Sequence, residues 1–370
     1  MKIAVFHELP YGGARRAMNQ YANNLKARND VDLYIVDEKT DRIEESFYSR
    51  VFFYRFVTRS WQGKNWKVRL YKDTIELIKL YYFHIKIAHE IDKKKYDIVF
   101  VSASKYIEAP FIMRSLKTPF VFYIHDPNYR LVYDPLLKVS KDLDSFRYYY
   151  ENLNRFVRKM LDKKNISCCR LFLSPSKYIA KKFEKTYDRK NKVVYYGVDT
   201  AFFTPSDTKQ DIDVFYTGSY HPIDGYDLLK EALHLMKIKP KVKILAFEEE
   251  WVSDDKELRE LYRRSKIVVC PARKEGLGAV ALEAMSCGIP VIAVNEAGHK
   301  ETVTNNVTGY LIPRNPAVLA EKLTFLLTHL NEAKRLGING RELMIKEWSW
   351  KKRSLELENL FMEYLGRMYE

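Results

Sequence analysis

Cysteine is scarce in this chain: Cys168, Cys169, Cys270 and Cys287 are the only four in 370 residues. None has Cys-x-x-Cys spacing, so neither a zinc site nor a disulfide framework is expected, and all four read as reduced, packed thiols. Glycine and proline are sparse as well, at 14 and 13. No Gly/Ser linker, low-complexity tract or internal repeat breaks the chain, which excludes repeat and disordered classes. No apolar run reaches the roughly 18 residues that a membrane span requires. Residues 1–7 read as the start of a strand rather than a leader, so the expectation is a cytoplasmic protein. The Asn306-Val-Thr308 sequon then carries no weight. No Gly-x-Gly-x-x-Gly follows the first apolar run, which argues against a dinucleotide oxidoreductase.

What is present suits a globular protein with two cores: 46% of residues are hydrophobic and 30% charged. The net charge of +15 is unevenly spread. Residues 1–200 hold 39 Lys and Arg against 23 Asp and Glu, whereas residues 201–370 hold 24 against 25. A basic first half attracts anionic partners: a phospholipid surface, a pyrophosphate-linked lipid or nucleic acid. Basic and aromatic residues interleave over 48–69 and 146–164, which favours a peripheral membrane association; a solvated lysine-rich surface without a partner is the plain alternative. Ile75, Ile78, Tyr82, Ile85 and Ala88 fall at helical spacing and are expected in the first core. Leu228, Leu229, Ala232, Leu233 and Leu235 are expected in the second.

The most informative stretch runs from Cys270 to Val294. An apolar run over 267–270 reads as a buried strand. A Gly276-Leu277-Gly278 turn follows, then an Ala-rich helical segment starting near Gly278 and stopping at Gly288. Such a loop exposes backbone N–H groups and the helix aims its positive end at them, so an anion such as phosphate is the natural occupant. Glu275 in the loop and Glu283 on the helix are placed to accept hydrogen bonds from hydroxyls flanking that phosphate, as in a sugar nucleotide. The same order of strand, glycine loop and helix also recurs in doubly wound proteins generally.

This segment resembles the signature of the group 1 retaining glycosyltransferases (glycosyltransferase family 4, GT-B fold), with Ala272 and Leu277 standing where Ser and Phe are usual. Further matches are the Gly12-Gly13 loop after a first strand over 2–6, and His125 at the end of the apolar run 120–124. The Gly197-Val-Asp199 stretch with Phe203 and Pro205 resembles the family's linker, and Trp348-Ser-Trp350 precedes a final helix over 351–369. The resemblance implies an α/β GT-B architecture of two Rossmann-like doubly wound domains facing across a cleft. Residues 1–205, joined by a returning helix over 350–370, would bind the acceptor. Residues 206–349 would bind the nucleotide-sugar.

The activity so implied is retaining, metal-independent transfer of a sugar from a nucleotide-sugar to a hydroxyl of a glycan or lipid-linked acceptor, with no cofactor. Glu275 would hold sugar hydroxyls, Glu283 the ribose, and His125 the donor sugar. Gly12, Gly13, Gly218, Ser219, Gly276, Leu277, Gly278 and Ala279 would line the donor site. Two departures stand out: between the apolar run 241–247 and the helical segment 254–265 one strand and helix common in the family are missing, and Ser219 and Asp224 occupy positions where the family carries an Arg and a Lys that neutralise the donor diphosphate. Arg273 and Lys274 are expected to supply that charge instead. Two other classes stay open, a nucleic-acid glycosyltransferase and a nucleotide-sugar-binding protein with impaired catalysis.

Overall fold

The computed structural model describes residues 1–10, 12–38, 44–59, 66–125, 139, 143–246 and 254–369. Residues 60–65, part of the interleaved basic and aromatic stretch 48–69, lie outside the described residues. The chain divides into two compact units. The first comprises Met1–Pro175, Ile179–Val194 and Ser354–Glu370; the second comprises Ser176–Tyr178 and Tyr195–Arg353.

In the first unit, β1 (Lys2–Glu8), β2 (Asp30–Asp37), β3 (Arg50–Arg55), β4 (Ile98–Ser104), β5 (Phe120–Tyr123), β6 (Leu171–Ser174) and β7 (Lys192–Val193) form one sheet. The strands are parallel and ordered β3-β2-β1-β4-β5-β6-β7. Its central strands are buried along almost their whole length, as expected of an all-parallel sheet covered by helices. Those helices include α1 (Gly13–Lys26), α2 (Trp66–Tyr71), α3 (Leu77–Lys93), α4 (Ser145–Ile166) and α5 (Lys177–Tyr187).

Three expectations are corrected here. β1 does not end at Phe6 but runs through His7 and Glu8, both fully buried, and α1 already begins at Gly13. Polar identity hid this extension, because Glu8 is buried against His84 at 2.7 Å. On α3 the core stripe is Leu77, Leu80, His84, Ile87, Ala88 and Ile91, while Ile75, Ile78 and Tyr82 are exposed. The helix is apolar on more than one face, so spacing alone chose the wrong one; a π-turn over Lys72–Glu76 also shifts the register ahead of it. Finally, Cys168 is exposed, just past the end of α4, and only the other three thiols are packed.

The second unit holds β8 (Ile212–Gly218), β9 (Val242–Ala246), β10 (Ser265–Cys270), β11 (Val291–Val294) and β12 (Gly309–Ile312), also parallel, in the order β12-β11-β10-β8-β9. Alternation along the strands builds two cores. Phe215, Val268 and Cys270 face one layer with Ala281, Leu282 and Met285. Val214, Tyr216, Ile267 and Val269 face the other with Leu229, Leu319 and Leu323. The helices are α6 (Tyr226–Leu235), α7 (Asp255–Arg263), α8 (Ala279–Ser286), α9 (His299–Thr302), α10 (Pro316–Thr328), α11 (Leu330–Glu347) and α12 (Trp350–Tyr369). Leu235 is exposed, contrary to expectation, because α6 ends there and Met236 takes the buried place. From Ser354 onward, α12 belongs to the first unit, where Glu358 accepts from Asn29 at 2.7 Å and Phe361 packs on Phe100. Among the described residues no helix is long and apolar enough to cross a membrane.

Candidate functional site

In the second unit β9 lies on one side of β8 and β10 on the other, so the winding direction reverses between β8 and β10. In open α/β sheets ligands bind at such a reversal, outside the carboxyl ends of the strands. The loops that leave those ends are 219–225 and 271–278. They are packed together: a Cβ on Gly225, which has φ +79°, would fall 2.1 Å from the Pro271 carbonyl oxygen. Only glycine satisfies both constraints.

Glu275 turns back on its own loop. Its Oε1 accepts from the N–H of Gly278 at 3.1 Å and of Leu277 at 3.4 Å. Two donors expected to cradle an anion thus have a protein partner, which narrows the cradle to the first turn of α8. There the N–H groups have no acceptor within the helix and carry its positive end. Gly278 caps α8 with φ +103°, and Lys274 also sits in the left-handed region at φ +57°. That conformation is costly for a side chain and clusters at functional loops.

Glu283 projects from α8 and is 9% exposed. The Tyr262 hydroxyl, on α7, donates to it at 2.9 Å. Burial, reinforced by that carboxylate, drives the Tyr262 hydroxyl far above its ordinary pKa, so it stays a donor. Tyr262 carries no recognisable motif and sequence reading missed it.

Gly218 ends β8 where any Cβ would meet the Tyr216 hydroxyl at 2.5 Å. Ser219 and Asp224 bond each other: the Ser219 hydroxyl and its backbone N–H both donate to Asp224 Oδ2. Arg273 is engaged too. Its Nε donates to the Pro222 carbonyl and its guanidinium pairs with Asp227, both at 2.9 Å. That pair is about 40% exposed on each side, a setting in which ion pairs contribute only about 0–1 kcal/mol. Exchange of Asp227 for another anion is therefore inexpensive.

Two further groups join this end of the sheet. The His299 ring lies against Gly278, 3.0 Å from where its Cβ would be, and its Nδ1 has no hydrogen-bond partner among the described residues. Burial holds its pKa below the ordinary value, partly opposed by the Glu275 charge. Arg314, just after β12, donates to the Pro271 carbonyl at 2.9 Å and pairs with Glu296 at 2.8 Å. A histidine five residues beyond β11 and an arginine two beyond β12 sit where ligand-binding groups gather, and that position was the signal available in the sequence.

In the first unit the reversal lies between β1 and β4. Gly12 and Gly13 follow β1, and among the described residues, chain neighbours aside, a Cβ on either would meet nothing within 4 Å. His125 follows β5 and shares a 2.7 Å hydrogen bond with Ser102. Burial lowers its pKa to about 3, leaving a neutral imidazole. His7, at the end of β1, is likewise held at about 3 by burial, with Arg15 and His125 adding to the effect.

A family model described as Glycosyltransferase Family 4 matches residues 11–202, more than half of the chain, and one described as Glycosyl transferases group 1 matches residues 249–343. An uncharacterized glycosyltransferase of Methanocaldococcus jannaschii is 28% identical over 207 residues, covering 51% of this chain and 58% of that protein. The alignment thus spans little more than half of the relative's length. Sucrose-phosphate synthase of Thermosynechococcus elongatus superposes with a TM-score of 0.72 at 16% identity, covering 99% of both chains. HepE of Anabaena, solved in complex with UDP and glucose, gives 0.69 at 17% identity over 98% of this chain and 100% of that one. Likeness at these identities is likeness of fold.

Proposed function

Because the chain belongs to glycosyltransferase family 4, we propose that it transfers a sugar from a nucleotide-sugar donor, held by its second unit, to a hydroxyl of a lipid-linked or glycan acceptor. The observation that carries this reading is the pairing of loops 219–225 and 271–278 at the β8/β10 reversal, with Glu275, Glu283 and the first turn of α8 on one side of it.

The chemistry follows from where charge develops. As the bond from the anomeric carbon to the phosphate oxygen breaks, the sugar becomes cationic and the phosphate anionic, so stabilising the phosphate is the main task. The α8 terminus, Arg273 and Lys274 serve it, and Glu275 and Glu283 orient sugar and ribose hydroxyls. The acceptor oxygen forms the new bond on the same face while its proton passes to the leaving phosphate. The configuration is then retained and no metal takes part. His125 acts as a neutral hydrogen-bonding group, consistent with its depressed pKa. The basic residues 1–200 hold this reaction at an anionic lipid surface.

HepE's complex with UDP and glucose makes UDP-sugars the first donors to try. A thermal-shift screen of UDP, GDP, ADP and CMP with their sugar conjugates, followed by turnover assays, tests the reading, since a ligand that binds only the folded state raises its melting point. No shift with any nucleotide would end it. One observation favours a second reading: Asp224 places an acid where the family neutralises a diphosphate. Nucleotide binding without transfer or donor hydrolysis would select a binding protein with impaired catalysis.

A further inference from the structure

Helix α4 is built inside out. Its buried positions are Asn154, Asp162, Asn165 and Ile166, three of the four polar. They and their neighbours anchor the helix largely by hydrogen bonds, with Leu161 adding apolar contact to the cluster of Leu77, Leu80, Ile107 and Phe111. Asp162 accepts from the Ala109 N–H at 2.9 Å, Asn165 donates to the Ala109 carbonyl at 2.6 Å, and Arg158 donates to the Tyr106 carbonyl and to Asp73, each at 3.0 Å.

The outward face is the apolar one. Phe146, Tyr149, Leu153, Phe156 and Met160 are each between 52% and 72% exposed. Their spacing of three, four, three and four residues aligns them in one stripe, about 21 Å long at 1.5 Å per residue. Single exposed apolar side chains are ordinary, but five large ones in line form a patch of the kind that marks an interaction surface. Trp66 extends it, with its ring edge-on to Phe146 at 5.1 Å.

The charge around the stripe identifies what covers it. Exposed Arg147 stands at one end and exposed Lys163 and Lys164 at the other, and α4 as a whole carries six basic residues against two acidic ones. A second copy of the chain would bring the same positive charge against itself, which like-charge repulsion opposes. An anionic bilayer satisfies both features at once: its acyl boundary takes the apolar stripe and its headgroups take the cations. We propose that α4 lies in the plane of an anionic membrane with this stripe inserted to the headgroup–acyl boundary. The inference deepens the lipid-surface reading above and rests on it, adding insertion of a defined face to charge attraction.

Cosedimentation of the full chain with phosphatidylcholine vesicles, with and without phosphatidylglycerol, tests it. The wild type is expected to sediment with the anionic vesicles. The double variant Leu153→Gln, Phe156→Gln is expected to lose at least about tenfold in partitioning, from the apolar area withdrawn, at an unchanged melting temperature because both side chains are exposed. Independently, an environment-sensitive fluorophore on Leu153→Cys, in a Cys168→Ser background that removes the one exposed thiol, should brighten and shift to the blue on adding the same vesicles. If the wild type binds but the double variant binds equally and salt releases both, adsorption is electrostatic; insertion is then wrong while the lipid reading stands. If the wild type binds neither vesicle, the lipid reading fails and takes this inference with it. A concentration-dependent dimer that the double variant dissolves, without vesicle binding, would assign the stripe to a second copy and overturn the proposal.

Discussion

Ser219 and Asp224, five residues apart in the loop after β8, hydrogen-bond to each other through the Ser219 hydroxyl and N–H. The resemblance places two cations at these positions; here the loop closes on itself and holds a carboxylate against Ser219, the first residue beyond β8, where the donor diphosphate is proposed to lie. If Asp224 is near that diphosphate, like-charge repulsion weakens binding. Asp224→Asn keeps the hydrogen-bonding shape and removes the charge. We expect it to tighten nucleoside diphosphate binding about three- to fivefold, an energy of about 0.5–1 kcal/mol, measured by calorimetry at low salt. Weaker or unchanged binding would place the phosphates elsewhere.

Glu275 has two tasks that substitution can separate. Its Oε1 holds the Leu277 and Gly278 N–H groups, and the proposed reaction asks the same carboxylate to bind donor hydroxyls. Glu275→Gln preserves an oxygen acceptor for the loop but not the charge; Glu275→Ala removes both. Turnover should fall at least about a hundredfold in each, as loss of a transition-state contact does. Only the alanine variant should also lose about 1 kcal/mol of stability from the broken loop bonds, seen as a lower melting temperature. Full activity in the glutamine variant would remove Glu275 from the mechanism.

Tyr262→Phe isolates the support beneath Glu283. The ring is fully buried, so the change leaves volume almost intact and deletes one hydroxyl, leaving Glu283 short of its 2.9 Å donor. An under-satisfied buried carboxylate costs about 1–3 kcal/mol. The variant should melt lower and show a raised KM for the donor with a smaller change in kcat, since the ribose contact is made in ground and transition states alike. A changed kcat at constant KM would mean that Glu283 acts at the reacting carbon.

The framework of the second unit's candidate site was legible in the sequence because its parts are contiguous: strand, glycine loop and helix fall within 265–286, where the structure has β10 and α8. What escaped were partners brought together only by folding. Tyr262 reaches Glu283 from the preceding helix, and Asp227 reaches Arg273 from 46 positions away. Periodicity misjudged α3 because that helix is apolar on two faces. It also passed over α4 as a core question, because there the usual relation of apolar to buried is reversed. Both failures sit in the basic first unit, where surface chemistry overrides the rule that apolar means inside.

His7 and His125 make the first unit sensitive to acid. Each has a pKa near 3 in the fold against about 6.5 when unfolded, chiefly through burial. Between those values the unfolded chain binds more protons, so stability rises with pH there; it is complete above about 6.5 and is lost as pH falls toward 3. The slope is at most about 1.4 kcal/mol per pH unit for each histidine. Melting temperature should therefore drop between pH 7 and pH 5. His125→Asn, which cannot protonate yet keeps a hydrogen-bonding group for Ser102, should flatten that drop while lowering the plateau at pH 7. A variant whose melting curve tracks the wild type across the whole range would show that His125 is protonated no less readily in the folded state than in the unfolded chain, and would shift the acid sensitivity to His7 and the carboxylates around it.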